Sequence, residues 1–308
     1  MGMNLAAQLE LYGPTASARQ APSAIEARAY CRQLARTHYE NFTVASWLLP
    51  QPLRQHFYNV YAYCRWADDL ADEARDPEEA SRLLDWWGDE LDSCFAGTAR
   101  HPVFVALAET IREFDIPPEP LQNLLVAFRQ DQRLARYETF DDLAAYCRNS
   151  ANPVGRLVLY LGRCHNDENV RLSDSICTGL QLANFCQDVA WDFDRGRIYL
   201  PQESCRRFGY TDAMFREREC NEAFLALMAH EVDRADSFLV AGLPLVPRAP
   251  KPLRADVALF IEGGRAILRS IRAANFDVWS RRPTLSRFAK LRLVAWATWK
   301  HRMLGARP

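Results

Sequence analysis

Residues 60–73 read VYAYCRWADDLADE, and residues 180–193 read LQLANFCQDVAWDF. In the first stretch Tyr61, Arg65, Asp68 and Asp72 recur at i, i+4, i+7 and i+11, which on a helix confines them to one arc of about 60°. In the second, Gln181, Asn184, Asp188 and Asp192 follow i, i+3, i+7 and i+11, an arc of about 80°. The rest of that second helix is apolar almost all round, through Ile176, Leu180, Leu182, Ala183, Phe185, Val189 and Phe193. Such a helix belongs in an interior, so its polar stripe is expected to be buried with it.

The same helical period continues outward in both directions. It predicts helices over 23–38, 51–74, 77–95, 102–115, 119–136, 139–149, 153–164, 173–194, 211–241, 252–277 and 284–304, and alternation of the strand type never persists. Asp76-Pro77 suits a helix start, with proline in the first turn. Pro117-Pro118 separates two helices, and the proline-dense 242–250 stretch reads as a loop because proline removes donors and clashes with helix. Residues 1–22 read as a loosely ordered leader. Residues 23–308 read as one all-α domain, since the apolar faces on both sides of the 242–250 loop are too large to bury separately.

Composition narrows the function. Hydrophobic residues are 49% of the 308, charged residues 25%, and the net charge is −1, which argues against nucleic acid as the main partner. The nine cysteines are scattered, with no C-x-x-C pair. They read as buried free thiols of a reducing compartment rather than disulfides or zinc ligands. No uncharged apolar run approaches the length of a membrane span, and the N-terminus lacks the basic-then-apolar order of a signal peptide.

A single D-x-x-x-D on a helix is most often a solvated face. Two such stripes on interior helices are different, because buried carboxylates repel and carry a desolvation cost of several kcal/mol each unless a cation compensates them. Carboxylate oxygens without neighbouring His or Cys suit a hard divalent cation, magnesium above all, with manganese as a substitute. A di-iron bundle is excluded, since it needs Glu-x-x-His pairs and no histidine here has a glutamate three residues before it.

Together the motifs resemble the squalene/phytoene synthase family. YAYCRWADDLADE is similar to the first aspartate-rich signature, and QLANFCQDVAWDFDRGRIYLPQE to the second. HYENFTVASWLLP at 38–50 is similar to the opening helix of that family, and YCRNSANPVGRL at 146–157 to a central one. The resemblance implies an isoprenoid-synthase-type helical bundle around a central cavity. It implies Asp68, Asp72, Asp188 and Asp192 as magnesium ligands, with Asp69 and Glu73 behind them. Arg65, Gln181, Asn184 and Arg197 would then bind diphosphate, guanidinium being well shaped for phosphate oxygens. Arg65 has an alternative role in an ordinary ion pair with Asp68 or Asp69. Tyr61 and Tyr146 would face the reacting carbons, with Asn184 acting beside them; core packing is the other reading of both tyrosines.

Three positions depart from the common pattern. Trp191 stands where an acid is usual, Gln187 where an arginine is common, and Glu40 where a basic residue is common. Fewer cations suit a site for one diphosphate, and E-N-F-x-V-A-S, S-A-N-P-V-G and N-F-x-Q-D-V-A-x-D resemble the bacterial hydroxysqualene synthase branch of hopanoid pathways. That branch implies ionisation of presqualene diphosphate and water capture without NADPH. It also implies a functional link to a presqualene diphosphate synthase and a downstream reductase. Condensation of two prenyl diphosphates is the alternative within the family, and a non-catalytic scaffold of the same fold is the alternative outside it. The basic, aromatic C-terminal stretch LSRFAKLRLVAWATWKHRMLGARP reads either as a bundle helix with a solvated basic face or as a peripheral contact of a cytoplasmic protein with the inner membrane face.

Overall fold

The computed structural model describes residues 5–16, 20–37, 49 and 51–300. Among them there is no strand, only an isolated parallel bridge between Arg136 and Ile198. The helices are α1 (Leu5–Tyr12), α2 (Ala24–Thr37), α3 (Gln51–Asp72), α4 (Pro77–Phe95), α5 (Pro102–Phe114), α6 (Glu119–Asp131), α7 (Phe140–Ser150) and α8 (Asn152–Leu161). They continue as α9 (Asp167–Gln187), α10 (Val189–Asp194), α11 (Gln202–Phe208), α12 (Asp212–Glu217), α13 (Glu222–Ala241), α14 (Leu245–Arg248), α15 (Arg254–Ala273) and α16 (Arg287–Thr298). The all-α expectation holds.

The chain forms two compact units, residues 1–133 with 157–163, and residues 134–156 with 164–308. In the first, α3 places Tyr63, Trp66 and Leu70 at full burial. Trp66 stacks on Trp87 of α4 at 5.2 Å, and both rings meet the edge of His101 at 4.7 and 4.9 Å. Burial in that aromatic box pushes the His101 imidazole down to about 3, so it stays neutral. Two polar anchors fix the rotation of α3. The Tyr63 hydroxyl donates to the Leu121 carbonyl at 2.8 Å, and the Asn59 amide donates to the Ala106 carbonyl and the Thr110 hydroxyl, each at 3.0 Å.

In the second unit α9 packs on α13 and α15. Gly179 lets α9 and α13 approach closely, since a Cβ there would lie 2.9 Å from Leu239. Asn166 caps α9 by accepting from the Asn169 amide at 3.0 Å, so this helix begins six residues earlier than its period predicted.

Other boundaries differ from the sequence reading. The leader contains α1, tied down by the Tyr30 hydroxyl donating to Gln8 at 2.7 Å and by an edge contact between Tyr12 and Tyr30. The predicted 211–241 helix is two, because Arg218 turns left-handed at φ 51° and Asn221 caps a new start. The 242–250 loop holds the single turn α14, and 202–208, which carried no helical prediction, forms α11. The predicted 173–194 helix breaks at Asp188.

Candidate functional site: two aspartate stripes

On α3 the stripe has an inner and an outer side. Asp69 is buried, whereas Asp68 is partly exposed and Asp72 and Glu73 are exposed. Arg65 donates through Nε to Asp69 at 3.1 Å, makes a second short contact to the same carboxylate, and donates to Asp68 at 3.2 Å. Of its two sequence readings, the ion pair is therefore the one seen here. Burial is the largest influence on Asp69 and raises its carboxyl to about 7, with Arg65 pulling the other way. Asp68 and Asp72 lie one turn apart on the accessible side, where an incoming cation could meet them. Tyr61 is half-buried one turn before Arg65, and its phenol is raised chiefly by desolvation.

The second stripe is not buried with its helix. Asn184 is exposed, and Gln181, Asp188 and Asp192 are half-buried, so the apolar sides of α9 take the interior while the stripe lies on its open side. Asp188 leaves helical geometry at φ −106°, ψ 15° and joins α9 to α10. Helical bonding persists across the break: the Asp188 amide donates to the Asn184 carbonyl at 2.9 Å and the Asp192 amide to the Asp188 carbonyl at 2.8 Å. The two carboxylates thus remain one turn apart. Gly196, at φ 74°, then turns the chain so that the Arg197 amide donates to the Asp192 carbonyl at 2.9 Å. Burial, then the charge of Asp188, raises the Asp192 carboxyl to about 7, against the opposing fields of Arg197, Arg195 and Arg282. Arg197 is half-buried and lines a pocket of about 10 Å³ with Asp192, Phe185 and Tyr199, room for one water at most.

Two departures from the family pattern acquire a structural meaning. Gln187 is buried and donates its amide to the Pro283 carbonyl. The adjacent Arg282 grips Asp188 with both sides of its guanidinium, one contact short and the other, Nη2 to Oδ2, at 3.0 Å. The cation absent at 187 is thus supplied at Asp188 by a residue 94 positions later. Trp191, which stands where an acid is usual, is exposed, and the Arg195 guanidinium stacks 3.6 Å from its ring centre. Glu40 and the opening motif 38–50, apart from Leu49, lie outside the described residues.

Tyr146 is buried within an aromatic cluster, 5.5 Å from Tyr137, 6.0 Å from Tyr199 and 6.3 Å from Phe185. Phe185 and Tyr199 stack at 3.9 Å. Sequence reasoning missed Tyr137, Tyr199 and Arg282. Tyr199 stood inside the second motif, while nothing in the local pattern around Tyr137 or Arg282 distinguished either one.

The donor chemistry fits a hard cation. Each unit offers two carboxylates at i, i+4, and among the described residues no three His, Cys, Asp or Glu converge into a closed cage. Magnesium needs no such cage, because it is commonly held by one or two carboxylates together with water and substrate phosphate. Burial first, and then the like charge of Asp188 one turn away, disfavours an ionised Asp192, so a cation at this pair would relieve both costs.

Paired carboxylates with guanidinium groups beside them form a donor set suited to a diphosphate. The squalene/phytoene synthase family model matches residues 35–289, and the chain belongs to that family. The squalene synthase HpnC from Alicyclobacillus acidocaldarius is 44% identical, with a TM-score of 0.79, over 82% of this chain and 95% of that one. A dehydrosqualene synthase solved with a ligand is 26% identical, with a TM-score of 0.82, over 90% of this chain and 97% of the other. The phytoene synthase of Arthrospira platensis is 30% identical over 89% of this chain and 93% of its own length.

Proposed function

We propose that this synthase is a hydroxysqualene synthase: it ionises presqualene diphosphate, lets the cation rearrange, and admits one water to give hydroxysqualene and diphosphate without NADPH. The observation that carries this reading is the 44% identity to the squalene synthase HpnC, against about 30% to phytoene synthases. The branch motifs at Ser150–Gly155 and Asn184–Asp192 point the same way.

In this reading Asp68, Asp72, Asp188 and Asp192 hold magnesium, which neutralises charge on the departing diphosphate. Arg65 and Arg282 already hydrogen-bond Asp68 and Asp188, and the charge of Arg197 acts on Asp192; all three guanidinium groups are shaped to take phosphate oxygens. Gln181 and Asn184, on the open side of α9, supply neutral donors. Tyr61 presents a half-buried ring, and Tyr146 with Phe185 and Tyr199 an aromatic wall able to stabilise carbocations through their π faces. The tight packing of that wall limits water. The cytoplasm suits the nine free thiols, several of which burial raises to about 12.

One observation favours condensation of two prenyl diphosphates instead: Arg282 restores a cation that the sequence pattern had counted as missing, and a second diphosphate needs such charge. The two readings separate on products. Purified protein with magnesium and no NADPH is given either presqualene diphosphate or farnesyl diphosphate, and products are resolved by mass. Hydroxysqualene from the first and nothing from the second is expected. Presqualene diphosphate formed efficiently from farnesyl diphosphate, with no hydration of presqualene diphosphate, would overturn it.

A further inference from the structure

The C-terminal helix α16 has a side that no part of the fold described above uses. Phe288, Leu291 and Trp299 are 85%, 64% and 60% exposed. With Ala295, also exposed, they fall within an arc of about 80° on one side of the helix. The stripe runs for about 16 Å. Ala297, on the opposite side, is buried, and α16 packs there on α15.

Charge surrounds the stripe with a single sign. Arg287 and Arg292 flank it, Lys290 and Lys300 lie further round, and Arg281 precedes the helix, while no acidic residue occurs from 278 to 300. Lys300 rests 4.9 Å from the Trp296 ring, so its charge stays near the helix end. No described helix is long and apolar enough to cross a membrane, and a contact made by this surface would therefore be interfacial.

We propose that α16 is a membrane-docking surface: its Phe288–Leu291–Trp299 stripe enters the headgroup boundary of an anionic bilayer, and its cations pair with the lipid phosphates. Exposed apolar residues aligned on one helix face and edged by Arg and Lys are the pattern of interfacial helices. A second copy of the chain fits less well, because a symmetric contact through this face would set the same cations against each other. The surface would bring the enzyme to the phase in which a long-chain isoprenoid resides, and the inference is independent of which prenyl diphosphate is used.

The test uses the full chain, sedimented with vesicles of phosphatidylcholine alone or with about one-third phosphatidylglycerol. Wild type is expected to pellet with the anionic vesicles and to be released by high salt. Phe288→Ser with Leu291→Ser and Trp299→Ser should lower anionic binding about ten-fold or more. Arg287→Gln with Lys290→Gln and Arg292→Gln should reduce it to the level on neutral vesicles. Circular dichroism checks that both triple variants keep their helices, and sedimentation velocity reports oligomeric state. Wild type that ignores both vesicles, or variants that pellet as wild type does, would overturn the proposal. So would an apolar variant that converts a dimer to a monomer with vesicle binding unchanged, which would assign the stripe to a second copy.

Discussion

Asp192→Asn should stabilise the ligand-free protein at pH 8 and have no effect near pH 4. The Asp192 carboxyl is raised to about 7 in the fold, first by burial and then by the neighbouring charge of Asp188, whereas an unfolded chain would hold it near 3.9. The folded state therefore binds this proton more tightly than the unfolded state. Stability from this group is fully present below about pH 4, is lost as pH rises from about 4 to about 7, and then stays level. Three units correspond to at most about 4 kcal/mol. The half-buried position and nearby guanidinium groups reduce that to about 2 kcal/mol. Asparagine never ionises, so at pH 8 the variant should melt about 4 °C higher. Magnesium with inorganic diphosphate should reverse the order, stabilising wild type and leaving the variant behind. Thermal melts at pH 4 and pH 8, with and without those ligands, decide it. A variant less stable than wild type at pH 8, or an equal difference at both pH values, would refute the reasoning.

Asp68→Asn and Asp188→Asn should each abolish turnover while leaving the helical signal unchanged, and excess EDTA should silence wild type; near wild-type activity in either variant across a magnesium titration would remove the two-stripe assignment. Arg282→Gln should bind manganese alone about five-fold more tightly, because the guanidinium occupies both Asp188 oxygens and a half-exposed pair of this kind contributes about 1 kcal/mol. The same variant should bind inorganic diphosphate with magnesium more weakly. Calorimetry in the two conditions checks the opposite signs.

Asp188 shows how close attraction and repulsion lie at this site. Its carboxylate is shared between a guanidinium from distant sequence and the like charge one turn below. The Arg282 contact lowers the cost of keeping two acids together before substrate arrives. The Arg65 pairing with Asp68 and Asp69 does the same on α3.

Much of this was legible in the sequence because it depends on local period. The spacing of Asp68 and Asp72, and of Asp188 and Asp192, sets each pair one turn apart whatever surrounds it, and Asp76-Pro77 fixed the start of α4 through cap and proline geometry. The family resemblance rested on those same motifs. Tertiary structure decided what periodicity cannot encode. It decided that Asp69, beside the stripe, is the buried acid of α3, that Asn184 opens to solvent, and that Trp191 turns outward under Arg195. It broke the second motif's helix at Asp188, and brought Tyr137 and Tyr199 to Tyr146 and Arg282 to Asp188. Burial and cross-chain pairing are set by which helix faces meet, and that information lies in the packed chain rather than in any single stretch of it.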